Sequence, residues 1–238
     1  MTLADFVADV AKRRKTIVVY ASDGAPDVAA HFESRNVTVE RKSLAPGGPD
    51  GFVVLRDEDG FVGAFGIEKF AELLDPPLFR PTYRTDVSEP WRSLYEILDN
   101  TLFASFGRRQ LLGATREIEN RAWRIGAGTL RVGFQSVDAL AAQVDVYRRL
   151  AEQTDLSIHA FVDAGDEAVP VPDGVELFRS EGTEIGDFWF LVYDAAGDPL
   201  NACALLAEER SPGIYYGFWT YDEDRVAALS TYLRDAHE

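Results

Sequence analysis

Apolar residues in this chain come mostly in short runs that are bounded by glycine, proline, asparagine and aspartate. Short runs rich in β-branched and aromatic side chains are typical of β-strands. They predict strands at residues 15–20, 36–42, 129–135, 156–162, 175–179, 187–194, 201–209 and 214–222. Residues 52–65 add a predicted hairpin, because two apolar runs flank the turn residues 57–60. The last three strands follow one another through short turns, which predicts an antiparallel meander.

Helical spacing of apolar residues occurs between these strands. An apolar stripe of Leu3, Phe6, Val7 and Val10 predicts a short amphipathic helix. Further helices are predicted at residues 25–34, 67–74, 91–106, 108–125, 136–153 and 223–236. The fourth of these is expected to bury one face, which holds Leu111, Thr115, Ile118, Ala122 and Ile125. Ser136 is expected to be the N-cap of the fifth.

This order of elements predicts an α/β protein in which mixed β-sheets are flanked by helices. We predict an N-terminal α/β region at residues 1–75, a proline-rich connector at 76–90, and a second domain with the central helices at 91–238. Each half has the order strand, helix, strand, then hairpin or meander, and a central helical pair joins the halves. An internal duplication would explain the shared order, but a βαβ unit followed by a hairpin is also common in unrelated proteins.

The balance of acidic and basic residues limits the expected cellular environment and the expected binding partners. Forty acidic residues face 24 basic ones, a net charge of −16, and only 4 of the basic residues are lysines. Because concentrated salt screens such self-repulsion, we expect a cytoplasmic protein of a salt-loving archaeon; an acidic protein of a GC-rich bacterium is the alternative. The acidity argues against nucleic acid as a direct partner, since phosphates need basic surface. No apolar run reaches about 18 residues, so no membrane-spanning helix is expected.

Familiar catalytic and metal-binding patterns do not occur in the sequence. Cys203 is the single cysteine, and His31, His159 and His237 are far apart, so no metal site is expected. Nucleophile-elbow, phosphate-loop, zinc-protease, kinase and EF-hand patterns are missing. Cys203 lies among alanine and leucine residues, which predicts a buried structural thiol. We therefore expect a protein that is not an enzyme.

Polar and aromatic residues on the strands of the second half are the candidates for a binding site. Gln135 ends the first of these strands, and ligands tend to bind at the carboxyl edge of such strands. Trp189 and Trp219 lie on aromatic strands, and Gly217 is expected to leave room there for a packed helix or a ligand. The simpler interpretation is that these aromatic residues form the core of a sheet.

Charged residues give weaker indications of a binding or catalytic site. Glu208 and its neighbour Glu209 are expected on opposite faces of a strand, so they cannot form an acid–base dyad. One of these glutamates can reach Arg210, Arg121 or Arg124, although a solvated strand end is the simpler interpretation. Glu117 and Arg121 are four residues apart, which predicts an ion pair on an exposed helix face.

Three segments together resemble the DICT sensory domain, and most closely the stand-alone haloarchaeal proteins that carry it. They are TREIENRAWRIGAGTLRVGFQS at 115–136, EIGDFWFLVYD at 184–194, and CALLAEER with YYGFWTYD between 203 and 222. The resemblance covers residues 88–238. DICT domains accompany diguanylate cyclases, phosphodiesterases and two-component proteins, which implies a role in sensing a signal. Since this chain has no GGDEF, kinase or receiver pattern, the resemblance implies output through a separate signalling partner.

We therefore predict a regulator that binds a small-molecule signal; the sequence identifies neither that ligand nor a cofactor. The candidate ligand-binding residues come from the strand positions and from the resemblance, and they are Arg121, Arg124, Phe134, Gln135, Trp189, Glu208, Trp219 and Tyr221. In this hypothesis Gln135 and an arginine orient the ligand between Trp189 and Trp219. Binding would shift the central helices, which could also carry a homodimer interface. A protein-interaction module without a ligand is the alternative, and an unrecognised enzyme is the third hypothesis.

Overall fold

The computed structural model describes residues 1–12, 15–22, 37–45, 51–57, 60–74 and 102–238. The predicted helix at 25–34, the connector at 76–90 and residues 91–101 of the next predicted helix lie outside these residues. The described chain forms two mixed β-sheets with helices packed on them, which confirms the predicted fold class. Among the described residues, no helix is long and apolar enough to cross a membrane.

A small sheet comes first along the chain. Its strands are β1 (Lys15–Ala21), β2 (Val37–Ser43), β3 (Gly51–Asp57) and β4 (Gly60–Gly66), in the order β2-β1-β3-β4. β1 pairs with β2 in parallel and with β3 in antiparallel, and β3 and β4 form the predicted hairpin. Helix α2 (Ile67–Leu74) follows with the predicted bounds and buries Ile67 and Phe70.

A larger sheet carries the rest of the strands. They are β5 (Leu102–Gly107), β6 (Ala127–Phe134), β7 (Asp155–Asp163), β8 (Val175–Ser180), β9 (Phe188–Tyr193), β10 (Cys203–Ser211) and β11 (Ile214–Thr220). Their order is β5-β11-β10-β9-β6-β7-β8. β6, β7 and β8 are parallel, whereas β9, β10 and β11 form the predicted antiparallel meander.

Strand β5 corrects one prediction. Residues 91–106 are predicted as a helix, but Leu102–Gly107 is a strand that pairs in antiparallel with β11, from Leu102 opposite Phe218 to Gly107 opposite Ile214. The pairing gives hydrogen-bond partners to the open edge of β11, and this long-range contact outweighs the local helical spacing.

The helices largely follow the predicted pattern. They are α1 (Leu3–Lys12), α3 (Arg108–Ile125), α4 (Val137–Ala141), α5 (Val144–Gln153) and α6 (Glu223–His237). Ser136 is the N-cap of α4, as predicted, and its side chain accepts a hydrogen bond from the N–H of Ala139. The helix predicted at 136–153 is divided into α4 and α5 at Gln143, whose side chain accepts a hydrogen bond from Arg116 on α3. Ile125 is 40% exposed rather than buried, because it ends α3.

The larger sheet is covered on both faces. The first face packs under α3, α4, α5 and the small sheet, in one apolar core that includes Leu111, Leu140, Leu150 and Val53. The second face packs under α1 and α6, where the predicted inward residues of both helices are buried. The predicted division into two domains stays a prediction.

The two sheets share a pattern of strand pairing. The order β2-β1-β3-β4 of the small sheet matches β7-β6-β9-β10 of the larger one, with one parallel pair and two antiparallel pairs in each. This agreement fits the predicted internal duplication, which stays a prediction because the same pattern also arises from a common βαβ unit with a hairpin.

Candidate functional site

Helix α3 buries several polar side chains between the sheets and its neighbouring helices. Thr115, Glu117, Glu119 and Arg121 are all at most 5% exposed. Burial of charged groups costs free energy unless partners compensate it, so such residues are uncommon in a helix that serves only as packing. Helix α3 is therefore the strongest candidate for a functional element.

Arg121 is the centre of one group. Its guanidinium carbon lies 4.6 Å from the centroid of the Tyr221 ring, a cation–π contact. One Nη atom lies 3.7 Å from a carboxylate oxygen of Glu117, and the other donates a long hydrogen bond of 3.5 Å to the carbonyl of Leu200. The Nε atom has no hydrogen-bond partner. The predicted Glu117–Arg121 pair exists. The prediction that it is exposed is wrong, since α3 buries both residues.

A narrow crevice opens beside this group, between α3 and the strands β10 and β11. It is lined by Ala114, Glu117, Ile118, Cys203, Ala204, Trp219, Thr220 and Tyr221. Burial raises the pKa of the Cys203 thiol to about 12, so the thiol stays protonated and is a poor nucleophile. Cys203 thus has the structural role that its sequence context predicts.

The connection between β9 and β10 lies beside Arg121, since its Leu200 carbonyl accepts the long hydrogen bond from that side chain. Ala195 and Ala196 both have positive φ, at 51° and 55°, a region that residues with a side chain rarely adopt. The side chain of Asp194 holds this turn, because it accepts hydrogen bonds from the N–H groups of Ala196 and Thr129. Leu200, whose carbonyl accepts from Arg121, is 86% exposed.

Gln135 and Trp189 form a second group at the carboxyl edge of β6. The hydroxyl of Tyr215 donates to the side-chain oxygen of Gln135 at 3.4 Å, and the Gln135 amide donates to the carbonyl of Asp187 at 3.4 Å. The rings of Trp189 and Tyr215 meet edge to face, with centroids 5.8 Å apart. Arg108 lies over the Trp189 ring at 6.0 Å.

These two groups lie at opposite ends of the sheet. Tyr215 is near the start of β11 and Tyr221 directly follows its end. The two tyrosines are six positions apart in extended chain, a distance of about 20 Å. The two groups are therefore distinct: Arg121 contacts Tyr221 just past one end of β11, and Gln135 contacts Tyr215 near the other end.

Phe134 belongs to a third, buried group between α3 and α5. Its ring meets the Tyr147 ring edge to face, at a centroid distance of 5.5 Å. The Tyr147 hydroxyl donates to Glu119 at 2.8 Å, and Arg116 pairs with the same carboxylate. Burial of Glu119 raises its pKa, although the positive charge and hydrogen bond of Arg116 and the hydroxyl of Tyr147 oppose this.

The remaining candidates lie apart from these groups. Glu208 is on the second face, where it pairs with Arg210 at 2.8 Å, and Arg210 stacks on the Tyr216 ring. Arg124 is exposed on α3. The room expected at Gly217 does not exist, because a Cβ there would lie 2.0 Å from the backbone oxygen of Leu206 on β10.

Sequence reasoning missed one group with the hydrogen-bond order of a serine-hydrolase triad. Ser157 Oγ lies 2.9 Å from His159 Nε2, and His159 Nδ1 lies 2.7 Å from Glu238 Oε1. Arg131 binds the same Glu238 oxygen, and Glu176 lies 3.8 Å from His159 Nε2. Within the described ranges no cluster of three or more His, Cys, Asp or Glu residues could hold a metal ion.

Comparison with known proteins identifies the surrounding domain. The family model DICT, described as a sensory domain in diguanylate cyclases and two-component systems, matches residues 92–210, half of the chain. No curated protein matches. A crystal structure of polyphosphate kinase from Porphyromonas gingivalis is similar at 8% identity and a TM-score of 0.40, over 98% of this chain and 48% of that one. The chain thus spans about half the length of that kinase, and a likeness at this level carries no functional argument.

Proposed function

Because this chain belongs to the DICT family of sensory domains, we propose that it is a non-enzymatic sensor that binds a small molecule beneath α3 and relays the signal to a separate protein. The observation that carries the proposal is the incomplete hydrogen bonding of buried Arg121 beside the crevice of Trp219 and Tyr221. The ligand-binding residues of this proposal are Arg121, Glu117, Trp219 and Tyr221.

The state of Arg121 favours a ligand with a hydrogen-bond acceptor. A guanidinium carries five N–H donors, and here it makes one long hydrogen bond and one ion pair beyond hydrogen-bond distance. Leaving buried donors unsatisfied costs about 1–3 kcal/mol, which a bound acceptor would recover. The Tyr221 ring fixes the guanidinium plane, and Trp219 supplies an apolar wall.

Helix α3 supplies a route for the relay. One of its sides carries Arg121 at the crevice, and another carries Arg116 and Glu119, which bind Gln143 and Tyr147 at the start of α5. A ligand that displaces α3 would therefore disturb the junction between α4 and α5, where the backbone is already interrupted. A movement of these helices is the proposed signal to the partner.

The native protein tests this proposal directly. We would purify the chain from the cells that naturally produce it and measure its mass under native and denaturing conditions, with an absorption spectrum. The expected result is a non-covalent mass that is retained by Arg124→Lys, the exposed control on the same helix, and lost by Arg121→Lys. A wild-type protein without added mass, or an Arg121→Lys variant that keeps it, would contradict ligand binding at this crevice.

A protein-interaction module is the second candidate, and one observation favours it. Leu200 is 86% exposed and Ile125 is 40% exposed, and both lie beside the Arg121 end of α3. Exposed apolar side chains mark a contact surface where they form one contiguous patch. If this function holds, Leu200→Ser and Ile125→Ser will weaken binding of a partner protein while native mass spectrometry finds no small molecule.

A further inference from the structure

Helices α1 and α6 lie together on the second face of the larger sheet. The rings of Phe6 and Tyr232 are 5.9 Å apart, and Asp9 on α1 pairs with Arg225 on α6 at 3.1 Å. The Arg225 guanidinium also lies 5.7 Å from the Phe218 ring of β11. The two helices are therefore linked to each other as well as to the sheet.

Glu184, just before β9, joins both helices to the sheet. One carboxylate oxygen accepts a hydrogen bond of 2.7 Å from the backbone N–H of Leu3, at the start of α1. The other oxygen accepts hydrogen bonds from the Tyr232 hydroxyl and, at 3.2 Å, from His237 Nε2, both on α6. A single carboxylate thus holds one end of each helix.

Glu238 makes the second connection, between the end of α6 and the parallel strands. Its Oε1 lies 2.7 Å from Arg131 Nε on β6 and 2.7 Å from His159 Nδ1 on β7. Arg131 also donates to the Ser230 hydroxyl of α6 at 2.8 Å. The Arg131 side chain is only 7% exposed, so this ion pair is screened by salt far less than a surface pair.

We propose that α1 and α6 form one detachable cover over the second face of the sheet, with Glu184 and Glu238 as the two charged attachments that decide whether it is closed. Beneath the cover lie large apolar side chains, which are Phe188, Phe190, Leu206 and Phe218. Opening would expose this apolar surface to solvent. The cover does not depend on the ligand of the proposed function.

The two glutamate attachments make closure of the α1–α6 cover depend on charge. Apolar packing alone would not create this dependence. Replacing a buried ion pair by apolar residues is often neutral or stabilising, so charged attachments are not needed for strength. Glu238 responds instead to protonation. Burial of the Glu238 carboxyl raises its pKa, but hydrogen bonds from Arg131 and His159 and their charges outweigh this, so the pKa is lowered. The stabilisation is therefore present above the ordinary carboxyl pKa and is lost as pH falls through the lowered pKa.

Charged and polar groups on several elements face the two glutamate attachments. Glu238 faces Arg131 and His159, and His159 also faces Glu176 on β8 and the Ser157 hydroxyl. The groups around Glu184 are Tyr232, His237 and the N–H of Leu3, with Asp5 near Tyr232. Acid removes the Glu238 carboxylate charge, so we expect the cover to open at low pH.

Hydrogen exchange measured by mass spectrometry on the full chain without ligand tests the proposal. We compare wild type with Glu238→Gln and Glu184→Gln, and use Asp235→Asn as the control, because exposed Asp235 pairs only with its neighbour Arg234 in the described structure. Loss of a charged hydrogen bond predicts an increase of about tenfold in exchange of α1 and α6 together, with β6 and β10 unchanged.

The decisive observation is the behaviour of α1 in Glu238→Gln. Within the described residues, the hydrogen bonds and ion pairs of Glu238 go to Arg131 and His159 on the sheet and to α6, and none goes to α1. Joint acceleration of both helices supports one cover. Acceleration of α6 alone, an equal rise in every element, or no change would each overturn the proposal. Because no ligand is present, failure here leaves the sensor proposal standing, and the reverse also holds.

Discussion

The guanidinium of Arg121 lies 4.6 Å from the centroid of the Tyr221 ring, inside the core rather than at the surface. The contact joins the C-terminal half of α3 to the residue that directly follows β11, beside the crevice. Arg121 is therefore held by a ring, a carboxylate at 3.7 Å and one carbonyl, an arrangement whose strength can be measured.

We predict that Arg121→Met lowers the free energy of unfolding by about 3 kcal/mol, because it removes the buried positive charge nearest to the Glu117 carboxylate. Arg124→Met, on the exposed side of the same helix, should change it by less than about 0.5 kcal/mol. Urea unfolding followed by circular dichroism measures both values. Equal effects of the two substitutions would contradict the role assigned to Arg121.

The same unfolding experiment isolates the ring contact. A double-mutant cycle of Arg121→Met with Tyr221→Leu should give a coupling of about 1 kcal/mol, the size of a partly desolvated cation–π pair. Additive effects would mean that the ring and the guanidinium do not stabilise each other.

The raised pKa of buried Glu119 predicts that the stability of the protein depends on pH. Its burial raises its pKa in the folded protein, so the folded state binds this proton more tightly than the unfolded state does. The contribution of Glu119 is therefore complete below the ordinary carboxyl pKa and is lost as pH rises through the raised pKa. We expect Glu119→Gln to remove this loss, so that the stability of the variant relative to wild type increases as pH rises.

Urea unfolding of wild type and Glu119→Gln between pH 4 and pH 8 measures that difference. The matched control is Glu152→Gln, since Glu152 is an exposed carboxyl on α5. Because both proteins share every other titrating group, the difference between them cancels the opposite trend expected from Glu238. A constant difference across this range would contradict the raised pKa of Glu119.

The sequence was sufficient where local patterns decide the structure. Alternating apolar runs gave the strands, and the apolar stripe of Leu3, Phe6, Val7 and Val10 gave the buried face of α1. It was insufficient where distant contacts decide. Residues 102–106 have helical spacing, yet they pair with β11 because that edge needs hydrogen-bond partners.

In the candidate site too, local patterns predict some features, and distant contacts decide the others. Glu117 and Arg121 have the spacing of an ion pair, but no local pattern indicates that a second layer of structure buries them. Gln135 directly follows β6 and Trp219 lies on β11, and their separation could be found only from the register of four strands, β6, β9, β10 and β11. Ser157, His159 and Glu238 are separated by 79 residues at their widest bond, so spacing could not bring them together.

Gly217 gives the last prediction, because its lack of a side chain is needed for close approach of β10 and β11. A Cβ there would lie 2.0 Å from the Leu206 oxygen and 2.6 Å from the Ala207 Cα, both backbone atoms that cannot move aside separately. We expect Gly217→Ala to destabilise the protein by about 3 kcal/mol or more. Gly66→Ala is the control, since nothing lies within 4 Å of a Cβ at that strand position and its φ is not in the left-handed region. It should change stability by less than about 0.5 kcal/mol in the same urea unfolding experiment. A tolerated Gly217→Ala would mean that the strands can separate there, and would restore the room for a ligand that the sequence pattern predicts.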